Sequence, residues 1–153
     1  MTPSGAAAPE VRPEDVVLRP ERYRLLKADP ALARPILARC ADLATPFQFL
    51  AREADGLTLL LDERDLVELG DLVADAAREP DAYRVVTFTP TLPWDLVGFL
   101  AKVAAVMAEE GVPIGAVSAY DRDHLFVRDA LAERTVDALR RAAWDGRLVP
   151  DAR

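Results

Sequence analysis

The stretch that most restricts the fold is 112–128, V-P-I-G-A-V-S-A-Y-D-R-D-H-L-F-V-R. It reads as two strands joined by a tight, doubly acidic turn. Val112 to Tyr120 is small and apolar, Asp121, Arg122 and Asp123 interrupt it, and His124 to Val127 resumes an extended, β-branched and aromatic pattern. Asp suits such a point because its carboxylate can bond the local backbone and because it tolerates unusual turn dihedrals. A helix-periodic segment precedes this hairpin and another follows it. Strand, helix, hairpin, helix is the skeleton that the rest of the chain repeats or decorates.

The flanking segments complete the unit. Tyr83, Val85, Thr87 and Thr89 alternate with Arg84, Val86 and Phe88, which predicts a mostly buried strand. After the loop Thr89-Pro90-Thr91-Leu92-Pro93, a helix is expected from Trp94 or Asp95 to about Glu110. Its inner face would be Leu96, Phe99, Leu100, Val103, Val106 and Met107. Gly98 falls in its first turn, and Gly111 fits a C′ stop secured by Pro113. Beyond the hairpin, Asp129 is expected to cap a helix with apolar positions Leu131, Thr135, Ala138, Leu139 and Ala142. Trp144 would pack near its end, Gly146 would turn the chain, and Leu148-Val149 would form a short last strand. The order over 83–149 is then β-α-β-β-α-β, the ferredoxin-like α+β pattern.

Residues 16–78 read as a looser version of the same unit. Residues 1–15, rich in Pro, Ala, Ser and charge, suggest a flexible tail. Val16-Val17-Leu18 is either an edge strand or a packed lead-in, and Tyr23 to Leu26 is a second short strand. Residues 31–44 place Leu32, Ile36, Leu37 and Cys40 at helical spacing, with Pro46 as a stop. Phe47, Phe49 and Ala51 alternate as a strand does, Asp55-Gly56 supplies a hairpin turn, and Leu57 to Leu61 is its partner. Asp62 is a plausible N-cap for a helix carrying Leu66, Leu69, Val73 and Ala76 or Ala77, which Glu79-Pro80-Asp81 would end. The strand at 83–89 is a candidate to be shared between the two sheets.

Composition narrows the function classes. At 153 residues and 51% hydrophobic, the chain can build one domain or two small ones sharing a core. A net charge of −7 argues against nucleic acid as a partner, because backbone binders carry a basic field. No run approaches the roughly 18 apolar residues of a membrane span, so no membrane partner is expected. No secretory leader is read at the N-terminus, and a cytoplasmic protein is the expectation. One Cys and one His make a Cys/His zinc site improbable, and no metal or other cofactor is expected. Cys40, among small residues and charges, reads as a partly buried structural thiol.

Few residues invite chemistry. Asp121 and Asp123 can shape the turn or meet a ligand amine; an acid–base pair would need a defined separation that sequence does not supply. His124 reads as a surface or interface residue. Ser118 has no neighbouring His–Asp arrangement, so an enzyme is not expected. Trp94 is either a lid over a cleft or a core or interface residue. The N-terminus of the helix after Pro93 offers free N–H groups to a carboxylate, unless Asp95 caps it.

The segment Ser118-Ala119-Tyr120-Asp121-Arg122-Asp123-His124-Leu125-Phe126-Val127 resembles the S-T-(Y/F)-D-T-D-Y-(V/I)-L-V signature of a subgroup of ACT domains that includes cytosolic arginine sensors. Leu96 to Val117 is similar to that subgroup's helix and second strand. Tyr23-Arg24-Leu25-Leu26 resembles its opening strand, and Pro46 to Asp62 its first hairpin. Arg122 and His124 stand where Thr and Tyr are usual, and Thr89 to Asp95 departs from the family's Gly-Pro-Leu-Asp-Phe run. The resemblance implies tandem ferredoxin-like ACT units, a degenerate one at 16–80 and a second at 81–150. It also implies a non-catalytic regulatory role, a free amino acid as ligand, and ACT–ACT pairing or a homodimer. The implied site lies on Thr89 to Gly98 and Ile114 to Tyr120: Thr89, Thr91, Trp94, Asp95, Gly98, Ile114, Ser118 and Tyr120, with Asp121 and Asp123 at its edge. The alternative is a structural or protein-interaction module with a degenerate pocket.

Overall fold

Twelve consecutive residues, Ala77–Phe88, form the strand on which both halves of the chain are built. The computed structural model describes residues 9–150. In chain order its elements are β1 (Val16–Leu18), β2 (Tyr23–Ala28), α1 (Ala33–Cys40), β3 (Phe49–Glu53), β4 (Gly56–Asp62), α2 (Glu63–Leu69), β5 (Ala77–Phe88), α3 (Phe99–Glu109), β6 (Gly115–Ser118), β7 (Asp123–Arg128) and α4 (Ala132–Trp144). Two units result, Pro20–Arg84 and the segments ending at Arg19 and starting at Val85. The division falls inside β5 rather than at 80/81, and β1 groups with the C-terminal unit rather than the first.

In the Pro20–Arg84 unit the strand order is β3-β4-β2-β5, all antiparallel neighbours. Counted within the unit this is second, third, first, fourth, the ferredoxin-like order. Leu57, Leu59 and Leu61 alternate onto one face of β4 and pack with Leu26, Ala28, Ile36 and Cys40. Glu53 pairs with Gly56, so the hairpin loop is Ala54-Asp55 and Gly56 is already strand.

Helix α1 is shorter than 31–44. A 3-10 turn at Pro30–Leu32, in which Asp29 accepts the Ala31 N–H at 2.7 Å, leads into it. Pro35 is tolerated because it lies in the first helical turn, where its missing N–H has no helical partner to lose. Asp62 does cap α2, accepting the Arg64 N–H at 2.8 Å. That helix ends at Leu69, because Gly70 turns to φ 50°, and does not continue to Ala76. Glu79-Pro80-Asp81 terminates no helix either. Arg24 pairs with Ala82 and Leu26 with Arg78, so these three residues bulge opposite Leu25. A bulge is a place where a strand accommodates proline, since the ladder needs no donor there.

In the other unit the order is β1-β5-β7-β6. Helices α3 and α4 supply Phe99, Val103, Val106, Met107, Val136 and Leu139 to a core shared with Val86, Phe88, Leu125 and Val127. Phe88 and Phe99 meet edge to face, centroids 5.1 Å apart. The fourth strand is β1, not Leu148-Val149: Val16 pairs with Phe88 and Leu18 with Val86. The Arg140 guanidinium donates to the Val16 carbonyl at 3.1 and 3.3 Å and holds β1 against α4. Leu148 is still buried, but as a plug in the core rather than a strand residue.

Of the expected N-terminal tail, residues 1–8 lie outside the described residues; from Val11, which is buried in this core, the chain is packed. Asp129 begins a 3-10 turn, Asp129–Leu131, ahead of α4, whose N-cap position is Leu131. Trp144 does not pack; it is 82% exposed.

Two further differences set up the site. Helix α3 begins at Phe99, after a Pro93–Leu96 turn, because Gly98 sits at φ 89° and cannot continue a right-handed helix. It ends as expected: Gly111 N–H donates to Ala108 at 3.0 Å and Val112 N–H to Met107 at 2.9 Å, a Schellman pair. The first hairpin strand is shorter than the Val112 to Tyr120 expectation, Gly115–Ser118, and the second is longer than His124 to Val127, Asp123–Arg128, with residues 119–122 forming the turn.

Candidate functional site

Two prolines, Pro90 and Pro93, stiffen the segment between β5 and α3, and one hydrogen bond fixes where it goes. The Leu92 N–H donates to the Asp121 carbonyl at 2.7 Å, holding this loop against the β6–β7 turn. That turn is closed by Ala119 N–H donating to the Arg122 carbonyl at 2.9 Å. The N-cap of α3 is Gly98, which has no side chain to bond the first helical N–H groups.

Loop, helix start and turn enclose an open cleft of about 300 Å³. One wall carries Trp94, Leu96 and Gly98 to Ala101; the other carries Ser118 to Tyr120, Arg122 and Asp123. Ser118 and Asp123 are cross-strand partners, and the Ser118 hydroxyl donates to the Asp123 carboxylate at 2.6 Å. Arg122 leans on its neighbour Asp121 at 3.3 and 3.4 Å. Chemically, this cleft offers uncapped helix N–H groups, one carboxylate, one guanidinium and apolar walls.

Of the residues expected at the site, Trp94, Gly98, Ser118, Tyr120 and Asp123 line this cleft. The others are placed elsewhere. Thr89 is taken up by Asp15, its N–H on the Asp15 carbonyl at 3.0 Å and its hydroxyl on the carboxylate at 3.2 Å. Thr91 and Asp95 are exposed, and Asp95 does not cap α3. Ile114 packs on the core, and Asp121 contributes its carbonyl to hold Leu92. Leu92, Pro93, Leu96, Phe99, Leu100, Ala101, Ala119 and Arg122 complete the lining. Reading Gly98 as the N-cap would have found Phe99 to Ala101, since the three residues after an N-cap carry the free N–H groups. Trp94 is no core residue: it is 73% exposed, and Tyr120 is 85% exposed.

His124 departs most from expectation, being buried with 5% exposure. Its Nδ1 lies 3.0 Å from the Thr87 hydroxyl, which accepts from Arg19 Nε at 3.1 Å. Burial, then the charges of Arg19 and Arg122, push the His124 pKa down to about 4. Alternation correctly sends Leu125 to the helix side, but the opposite face is not solvent at this strand.

In the Pro20–Arg84 unit, a second cleft of about 500 Å³ is lined by Glu21, Asp42, Thr45, Arg64, Asp65 and Glu68. Asp65 is buried and accepts from the Thr45 hydroxyl; burial raises its pKa. Burial and the nearby Asp65 carboxylate likewise raise that of Cys40, which keeps it a thiol as a structural cysteine should be.

Residues 78–141 match the family profile described as ACT domain. This segment runs from the start of β5 into α4 and contains the whole cleft between α3 and the β6–β7 turn. ACT domains are small-molecule-binding regulatory modules, often for amino acids. No curated protein matches the sequence. Among solved structures, the chain resembles a protein of unknown function from Vibrio cholerae described as a possible transport protein. The identity is 24%, over 88% of this chain and 94% of that one, with a TM-score of 0.63. A protein from Agrobacterium tumefaciens is 23% identical over 89% of this chain and 91% of its own, with a TM-score of 0.68. The regulatory subunit of aspartate kinase from Thermus thermophilus is 17% identical over 83% and 95%, with a TM-score of 0.56. At these identities the likenesses speak to the fold. Among the described residues no helix is long and apolar enough to cross a membrane. An ACT domain is therefore found at residues 78–141, on a ferredoxin-like α+β fold.

Proposed function

We propose that the protein is a non-catalytic regulatory module that binds a free amino acid in the cleft between the start of α3 and the β6–β7 turn. The observation that carries this reading is the uncapped α3 N-terminus, Gly98 to Ala101, opening on the same cleft as the Asp123 carboxylate. The helix N–H groups would receive the ligand's carboxylate, where the helix dipole also favours negative charge. Asp123 would receive its α-ammonium as a charge-assisted hydrogen bond. The ACT match over this segment supports the assignment.

The reading extends to the whole chain as a tandem pair of ACT units in the cytoplasm, the first degenerate, related to the arginine-sensor subgroup through the 118–127 motif. The shared strand order of the two units supports it. Pairing through the free edge of β6, within a homodimer, is part of this reading, since open sheet edges are usually covered. Isothermal titration of the full chain with each proteinogenic amino acid tests it. Binding is expected for at least one, and is expected to be lost in Asp123→Asn. Silence across the whole set by a folded sample rejects the reading.

A second reading, a protein-interaction module with a degenerate pocket, is favoured by the exposed side chains of Trp94, Val97 and Tyr120 around the cleft. Amino-acid titration separates the two.

A further inference from the structure

Resting on the amino-acid reading of this cleft, we infer that its ligand is a neutral amino acid with a large apolar side chain, of the leucine or phenylalanine type. The charge inventory of the lining leads there. Asp123 is the only acidic lining residue and Arg122 the only basic one. Asp123 is committed to the α-ammonium. Arg122 already pairs with Asp121 at 3.3 Å, and the uncapped start of α3 takes the α-carboxylate. Among the described lining residues no unpaired ionised side chain remains to compensate a charged ligand side chain. Burying one without a partner is strongly unfavourable.

Apart from the Ser118 hydroxyl, the remaining side chains of the lining are aliphatic or aromatic. Leu92, Pro93, Trp94, Leu96, Leu100 and Tyr120 present aliphatic and ring surface. The cleft, at about 300 Å³, lies at the small end of ligand pockets and suits a single amino acid. Trp94 and Tyr120 stand 73% and 85% exposed, so a ligand side chain has aromatic surface to cover there.

The chain's two tryptophans make this measurable. In full-length Trp144→Phe, Trp94 is the sole indole, and its emission reports the cleft. Titration with leucine, phenylalanine, glycine, lysine and aspartate is read by Trp94 emission and by calorimetry. Leucine or phenylalanine is expected to bind at least about tenfold more tightly than glycine, the amount from removing roughly 50 Å² of apolar surface from water. Lysine and aspartate are expected to bind no better than glycine. Trp94→Ala, read by calorimetry, is expected to weaken phenylalanine about tenfold, with the thermal midpoint unchanged because the ring is exposed.

Lysine or aspartate binding as tightly as leucine, with loss in Asp123→Asn, overturns the side-chain preference while leaving the amino-acid reading intact. Binding of none of the five overturns the preference, and silence across every other amino acid as well overturns the site reading itself. Leucine and phenylalanine binding no more tightly than glycine overturns the preference, and unchanged phenylalanine affinity in Trp94→Ala overturns the part assigned to the Trp94 ring.

Discussion

His124 shows how a single residue's environment can invert its reading. The period of two along β7 separates it from Leu125 and Val127, and a polar residue opposite apolar ones ordinarily faces water. Here it is buried and bound to Thr87, which Arg19 holds in turn. The consequence is a pH dependence of definite sign. A folded-state pKa of about 4 against an ordinary 6.5 means that the unfolded chain binds the extra proton first. The contribution to stability is present above pH 6.5, falls as pH drops from 6.5 toward 4, and is flat below. Its size is on the order of 3 kcal/mol by the conversion of pKa shift into free energy. Urea melts between pH 7.5 and 4 are expected to show a steeper loss for the wild type than for His124→Gln, and equal slopes would refute the assignment.

Cys40 gives a second residue-scale expectation. Its thiol is buried and its pKa raised, so thiolate-directed reagents are expected to modify it far more slowly in the native protein than in urea. A colorimetric thiol assay reads the difference, and comparable rates would contradict the burial. The sequence suggested a structural thiol here. It gave no sign of Asp65, which approaches across a sequence gap of 25 residues.

At the scale of elements, local chemistry was legible where partners lie within a few residues. The Asp62 cap and the Gly111 Schellman stop each use hydrogen bonds spanning five residues or fewer, and both were read from sequence. Sequence places the start of α3 five residues too early, at Trp94, because Trp94 and Asp95 are acceptable helix openers and the positive φ of Gly98 leaves no local trace. A residue other than glycine at φ 89° is strained, although a Cβ there would meet no atom within 4 Å. Gly98→Ala is therefore expected to destabilise the protein by about 1–2 kcal/mol through the backbone alone. Chemical denaturation measures this directly, and an unchanged midpoint would show that the helix start relaxes. Pro80 misled in the opposite direction: a residue that ordinarily ends elements lies inside a strand, because β5 bulges opposite Leu25.

At the scale of the whole molecule, the least legible feature was the source of the fourth strand of the C-terminal unit. β1 holds only Val16, Val17 and Leu18, too short to carry a period, and it precedes the entire Pro20–Arg84 unit. Yet Val11 and Val16 are buried in the core, and the Arg140 side chain fastens the Val16 carbonyl. Removal of residues 1–18 is expected to expose the β5 edge and destabilise the C-terminal unit by several kcal/mol, as loss of buried valines alone costs about 1.5–3 kcal/mol each. Circular dichroism melts of the truncated chain test this, and a melt matching the full chain would show that Leu148-Val149 can substitute.

The sequence by itself determined the α+β class, the β-α-β-β-α order over the C-terminal half, a hairpin within 112–128, and the loop-to-helix segment that forms one wall of the cleft. Those depend on periodicity, caps and turn residues, whose physics is confined to neighbouring peptide units. Only the tertiary structure decided that β1 closes the sheet of that unit, that His124 is buried, and that Arg122 and Leu96 rather than Thr89 and Asp95 line the cleft. These outcomes depend on contacts between distant segments. A side chain's partner there is fixed by strand register and by what packs above the sheet, neither of which leaves a periodic trace in the chain.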